Sequence, residues 1–221
     1  MRSDDLDARY AEVLLFPDRA ELRRRLPPLL LGIVAIGIAI ALSVEAHLGV
    51  SPWDVLHQGL AEATGASFGT VVVVVGLVVL LAWIPLRQRL GLGTVVNTLS
   101  IGFVADATLH VLPTPDALAV RVLLLGSAIV VFGVGGGLYI GAGLGPGPRD
   151  GLMTAITARG HRLWVVRTVL EVSALGAGFA LGGTVGVGTV VIALTIGPLT
   201  HLALRRFHLP VRAPTQEVLG E

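Results

Sequence analysis

The chain reads as six long apolar runs separated by short polar segments. The runs cover roughly residues 26–44, 68–85, 92–110, 119–140, 163–181 and 186–204. Each is close to the ~20 residues that a helix needs to cross the hydrocarbon core of a bilayer. Backbone polar groups must be paired within the segment in lipid, so such runs form helices. The β-branched stretch from Val71 to Val75 would suit a strand in water. Its run length and lack of two-residue alternation predict a helix instead. Two further segments, roughly 51–64 and 147–160, are too short to cross. Both begin with helix-start chemistry: Ser51-Pro52 with Asp54, and Gly147-Pro148 with Asp150. Each carboxylate falls in the first turn, near the positive end of the helix dipole.

The pattern occurs twice. Leu48-Gly49-x-x-Pro52-x-Asp54-x-Leu56 returns 96 residues later as Leu144-Gly145-x-x-Pro148-x-Asp150-x-Leu152. Gly91-x-Gly93-Thr94-Val95-Val96 returns 95 residues later as Gly186-x-Gly188-Thr189-Val190-Val191. Repeat one therefore spans 26–112 and repeat two 119–206, with three long helices and one short helix in each. Three crossings are an odd number, so the second repeat enters from the opposite side. The expected fold is an all-α membrane protein of six transmembrane helices, arranged as two inverted-topology three-helix repeats. Gly133 to Gly137, and Gly176 with Gly178, are expected to pack closely against neighbouring helices.

Charge orients this arrangement. All sixteen basic residues are Arg, and only 14% of the 221 residues are charged. Arg23, Arg24 and Arg25, then Arg87 and Arg89, then Arg149, Arg159 and Arg162, then Arg205, Arg206 and Arg212 flank one side; the other holds Arg121. By the positive-inside rule both termini are cytoplasmic, as tails 1–25 and 207–221, in a multi-pass bacterial plasma-membrane protein. The polar tail and the long first run do not fit a cleaved signal peptide. The chain has no Cys, which removes disulfides, thiolate metal sites and Cys nucleophiles.

Ionisable groups at membrane depth mark candidate chemistry. Glu171 falls roughly 12 Å into its span, and Arg167 one turn earlier is placed to pair with it. The equivalents in repeat one read as Val71 and Val75. Arg149 and Asp150 are neighbours on the second short segment, and each is expected to find another partner, with Glu171 a candidate for Arg149. Asn97 suits a hydrogen bond between helices. Asp106 and His201 occupy matching, interfacial positions. Glu45, His47 and His57 cluster outside without a diagnostic metal spacing, and no metal is expected. Thr94 and Thr189 read as helix caps.

The short segments admit two readings. The first has Trp53, Leu56 and Leu60 on an apolar face opposite Asp54, Gln58 and Glu62, so that the helix lies flat in the interface. In the second, each segment is a half-helix whose N-terminus faces a solute at the bundle centre. No Ser/His/Asp constellation, paired glycosidase carboxylates or HExxH motif is present, so no enzyme, cofactor or nucleic-acid partner is expected.

Pro52-Trp53-Asp54-Val55-Leu56-His57-Gln58-Gly59-Leu60, Ile84-Pro85-Leu86-Arg87, Gly145-Pro146-Gly147-Pro148-Arg149-Asp150 and Val165-Val166-Arg167-Thr168 with Glu171 resemble the YczE/YyaS/YitT family of bacterial integral membrane proteins, over about residues 30–206. The resemblance is closest to its YczE-like branch and implies a polytopic inner-membrane protein; it implies no catalytic residues. The scaffold points to a small secondary transporter or exporter of a small solute, with a proton as a candidate coupling ion. Arg149, Asp150, Arg167, Glu171, Asp54 and Asn97 are the candidate substrate- or ion-binding residues. The alternative is a non-transporting membrane partner that regulates a cytoplasmic enzyme through its basic loops and tail.

Overall fold

A computed structural model of the chain describes residues 17–210. Residues 1–16 and 211–221, with most of both expected tails and Arg212, lie outside the described residues. Eight helices follow in order among the described residues: α1 (Arg19–Glu45), α2 (Pro52–Thr64), α3 (Phe68–Leu86), α4 (Leu92–Val111), α5 (Leu118–Gly141), α6 (Pro148–Thr157), α7 (Leu163–Ala180) and α8 (Val187–Phe207). Six of them, all but α2 and α6, are long and apolar enough to cross a membrane. Large apolar side chains such as Leu31, Val78, Leu81, Phe103, Leu123 and Leu194 face outward. An exterior this apolar is a surface made for lipid rather than water.

The expected boundaries agree closely except at the start. Asp18 accepts the Glu21 amide at 2.7 Å and caps α1. Residues 19–25, read as tail, therefore form the first turns of the helix.

α1 and α5 lie together at the centre, closest where Gly32 meets the backbone at Gly135 and Tyr139. Leu29, Ile33, Ile36 and Ile40 fill the core against Ile101, Ala105 and Tyr139. The other contacts come in matched pairs. α1 packs on α4 and α5 on α8; α2 packs on α7 and α6 on α3. The loop after α1 presents Leu48 O to the Gly188 amide at 2.7 Å, and the loop after α5 presents Leu144 O to the Gly93 amide at 2.7 Å. Both loops need glycine. Gly49 has φ +103° and Gly145 φ +123°, and a side chain on either would meet Thr189 Oγ1 or Thr94 Oγ1 at 2.6 Å.

Trp83 is fully buried over Gly151 and donates its indole N–H to Pro148 O at 3.1 Å, pinning α6 to α3. At the matching contact Gly178 lies on the Val55 backbone. Of the glycines expected to pack, Gly133, Gly135, Gly136, Gly137 and Gly178 do so, whereas Gly176 faces open space.

The matched pairing has one exception. α3 packs along α4, with Gly69 and Gly102 backbone to backbone, but α7 is not packed along α8. A methyl group placed on Gly197 would find only Arg167 Nη1, at 3.8 Å.

Asp106 fixes the start of α3 from α4. Its carboxylate accepts the Ser67 hydroxyl at 2.5 Å and the Gly69 amide at 2.6 Å. It thus satisfies donors that the first turn leaves unpaired. Asp106→Ala is expected to destabilise the bundle by about 0.5–2 kcal/mol, the usual range for a lost cap. Unfolding of the purified protein by SDS titration checks this; an unchanged midpoint would mean that Ser67 caps α3 unaided.

Candidate functional site

A cavity of about 370 Å³ occupies the middle of the bundle, and all eight helices contribute to its wall. Its size lies in the usual range of small-molecule sites. The walls are largely apolar, with Ile36 and Ile40 from α1, Val72 and Val75 from α3, Ile101 from α4 and Phe132 from α5. Polar groups come from the short helices, from α4, and from α7 and α8.

The first turns of both α2 and α6 line this cavity, through Ser51 and Asp54 on one side and Gly147, Arg149 and Asp150 on the other. The expected polar face of α2 is split, with Asp54 buried, Gln58 half-buried and Glu62 exposed. Trp53, Asp54, Val55 and His57 are all buried, and Gln58 accepts the Thr184 amide at 3.0 Å. The Asp54 end of the helix is packed inside the protein, which the flat interfacial reading does not anticipate.

All six expected site residues line the one cavity. Their partners differ in part from expectation. Arg167 donates from Nε to Glu171 Oε1 at 2.9 Å, as the one-turn spacing predicts. Arg149 does not reach Glu171. Its Nε lies 3.6 Å from Asp150 Oδ1, because both side chains turn towards the cavity at the helix start. Asn97 is buried and hydrogen-bonds to no group among the described residues, so the expected interhelical bond is absent. Asp54 accepts the Ser51 hydroxyl at 2.5 Å, and its other oxygen lies 3.3 Å from His57 Nδ1.

His57 thus belongs to the cavity and not to an outer cluster with Glu45 and His47. Its ring also meets Phe68 edge-on, at 5.9 Å between centroids. Glu45 accepts from Thr114 at 2.7 Å and keeps His47, whose Nε2 lies 3.9 Å from the same carboxylate oxygen. No three His, Cys, Asp or Glu side chains gather around one point among the described residues. The three-residue spacing of Asp54 and His57 was the available signal, since such pairs share a helix face. His201 also lines the cavity, while its counterpart Asp106 anchors α3. Thr94 and Thr189 sit at the third helical position rather than at the cap. Thr94 donates across to Pro146 O at 2.7 Å, and Thr189 Oγ1 accepts the Gly186 amide at 3.3 Å.

The repeat-one counterparts of Arg167 and Glu171 also need correction. Pro52 and Pro148 differ by 96, but the following helices start at Phe68 and Leu163, a difference of 95. One residue is lost between the short helix and the next. The counterparts are then Val72 and Gly76, not Val71 and Val75. Both Val72 and Gly76 line the cavity, facing the ion pair's helix across it.

Comparison with known proteins agrees with this architecture. An uncharacterised protein of Haemophilus influenzae is 41% identical over 187 residues, covering 82% of this chain and 86% of that relative. The uncharacterised membrane protein YczE of Bacillus subtilis is 34% identical over 182 residues, covering 81% and 82%. The uncharacterised protein YyaS of the same organism is 26% identical over 182 residues, covering 78% and 88%. No solved structure matches the chain. The profile of a family of unknown function, DUF6198, matches residues 23–205, which hold all eight helices but for the ends of the first and last. With six membrane-length helices and a polar-lined cavity among them, the chain belongs to the DUF6198 family of uncharacterised, YczE-like membrane proteins.

Proposed function

We propose that this chain is a small secondary transporter or exporter that carries a small solute across the bacterial plasma membrane by alternating access. One observation carries the reading: the first turns of both short helices lie on the wall of one and the same cavity. Discontinuous helices that start at the midpoint of two repeats are the recurrent binding device of secondary transporters. The matched helix contacts and the reciprocal Leu48–Gly188 and Leu144–Gly93 bonds support two inverted repeats, and the arginine bias supports cytoplasmic termini. Arg167 and Glu171 break that symmetry beside the loose α7–α8 seam, where one half could rock against the other. Binding and release, without covalent chemistry, is all that this set of groups is asked to do.

The absence of Cys makes the test direct. Thr98 lines the cavity and is buried. A Thr98→Cys protein is expected to react with a membrane-impermeant maleimide both in right-side-out and in inverted vesicles. Reaction from one face only, under every ionic condition tried, would exclude alternating access. Uptake or efflux in proteoliposomes then tests the ion pair: transport that survives Glu171→Gln unchanged removes Glu171 from the mechanism.

A further inference from the structure

The first half of the chain clamps α3 to α4, and the second half lacks the clamp. Gly69 and Gly102 meet backbone to backbone, Asp106 accepts the Gly69 amide, and Ser67 Oγ accepts the Thr70 amide at 3.2 Å. With helix starts at Phe68 and Leu163, the counterparts of Ser67, Gly69, Gly102 and Asp106 are Arg162, Trp164, Gly197 and His201. One glycine of the four residues is kept. A side chain at the place of Gly69 overlaps the facing backbone, so Trp164 cannot repeat that contact. Arg162 gives α7 no side-chain cap. α7 and α8 therefore stand apart where α3 and α4 touch. Trp164 is 65% exposed in the first turn of α7, a place that suits an aromatic ring at the membrane interface.

The gap opens onto the cavity. Arg167 and Glu171 on α7, and Ile196, Gly197 and Thr200 on α8, all line it. A Cβ on Gly197 would meet only Arg167 Nη1, at 3.8 Å, among the described residues. At 1.5 Å per residue, Arg167 and Glu171 lie about 6 and about 12 Å into α7, beneath the headgroups of the leaflet where that helix begins. Their side chains are 46% and 23% exposed, so neighbouring helices do not seal the pair. Ionisable groups at such depth mark paths for polar groups. The outer surfaces of α7 and α8 are apolar, with Val169, Val172, Val190 and Leu194 exposed. The cavity walls at Ile36, Ile101 and Phe132 are apolar too. An apolar chain can pass from lipid to cavity while a polar head stays beside the ion pair.

We infer that the α7–α8 gap is a side entrance from the bilayer, and that the solute is a single-chain amphiphile. Its polar head passes Arg167 and Glu171, and its apolar body lies along Ile36, Ile101 and Phe132. A cavity of about 370 Å³ takes a body of small-molecule size and not the two acyl chains of a phospholipid. A second copy of the chain is the rival occupant of the gap. It would press a lipid-facing helix against the ion pair, a cost that a polar head avoids. The entrance gives the transport reading its solute class and rests on that reading for the crossing step alone, since entry from lipid is measured without transport.

The test places Thr98→Cys in proteoliposomes. The cysteine is labelled in parallel with N-dodecylmaleimide, an amphiphile that dissolves in the bilayer, and with the membrane-impermeant maleimide. Gly197→Phe, added to that background, fills the gap from a position with room for a side chain. It is expected to lower the ratio of the alkyl rate to the impermeant rate about tenfold, an added barrier of about 1.4 kcal/mol on the lipid route alone. Arg162→Ser, Trp164→Gly and His201→Asp together install the clamp of the first half and should lower the same ratio. That variant keeps the test sharp if Gly197→Phe does not fold. An unchanged ratio in the folded variants, or no reaction of Thr98→Cys with the alkyl reagent, would overturn the entrance. Disulfide-linked pairs of Trp164→Cys chains, formed at high dilution in lipid, would put a second copy on the gap and overturn it as well. A lowered ratio, with the impermeant reagent reacting from one face only, would keep the entrance and sink alternating access.

Discussion

Gly69→Val is expected to abolish the folded bundle. α3 and α4 cross with the two glycines facing each other, and a Cβ on Gly69 would overlap the carbonyl oxygen of Gly102. The converse overlap holds for Gly102 with Gly69 O. No flexible side-chain tip can give way here, because the obstacle is backbone. Relief requires the helices to part. In lipid that separation is not opposed by a hydrophobic drive, since association there rests on close packing and hydrogen bonds. Parting the helices also pulls the Gly69 amide from Asp106, a 2.6 Å bond at the start of α3. Overpacking a core commonly costs about 1–3 kcal/mol, and a backbone obstacle with a lost cap belongs at or beyond the top of that range. The readout is the yield of monodisperse protein in detergent and its SDS unfolding midpoint. Gly126→Val is the control, because a Cβ there meets nothing within 4 Å. If both variants behave like the parent, the α3–α4 crossing described above is wrong.

The same two glycines mark what the amino-acid sequence makes legible and what it hides. Helices of about membrane-spanning length follow from run length alone, and every long apolar run became one. The Arg167–Glu171 pair follows from a one-turn spacing. Register between distant helices does not follow, because Gly69 and Gly102 look no different from Gly176, which packs against nothing. The repeat and its shift from 96 to 95 residues could be seen, but the place of the missing residue, between α6 and α7, was fixed only by the helix starts at Phe68 and Leu163. Asn97 read as a bond between helices because a buried amide ordinarily finds a partner. Only the cavity explains why it has none. His57 was assigned by proximity to Glu45 and His47 in the chain, whereas the turn of α2 carries it to Asp54. In each case local periodicity predicts the element, and the choice of neighbour is made by tertiary packing.

Arg25→Ala is expected to cost about 2–5 kcal/mol, whereas Arg23→Ala is expected to change stability by less than about 0.5 kcal/mol. A charge count treats Arg23, Arg24 and Arg25 alike, as three votes for a cytoplasmic N-terminus. Their surroundings are not alike. Arg23 is exposed, while Arg25 is fully buried. Arg25 Nε donates to Glu21 Oε2 at 2.6 Å, Nη1 to Ala142 O at 2.8 Å and Nη2 to Pro210 O at 2.9 Å. One guanidinium thereby ties the first helix to the end of α5 and to the segment after α8. Truncation leaves the Ala142 carbonyl buried without that donor and opens a void beside it. Glu21 keeps Arg24, at 3.1 Å, so the carboxylate is not stranded and the loss falls on the carbonyls and the packing. Arg25→Lys should recover only part of the deficit, because an ammonium cannot span three acceptors with the planar fork that guanidinium provides. SDS titration of the three variants measures the differences, and a reporter fused to the N-terminus measures orientation. Equal destabilisation by Arg23→Ala and Arg25→Ala would reduce Arg25 to a topogenic charge. Unequal destabilisation with unchanged orientation would separate the two roles that one run of arginines combines.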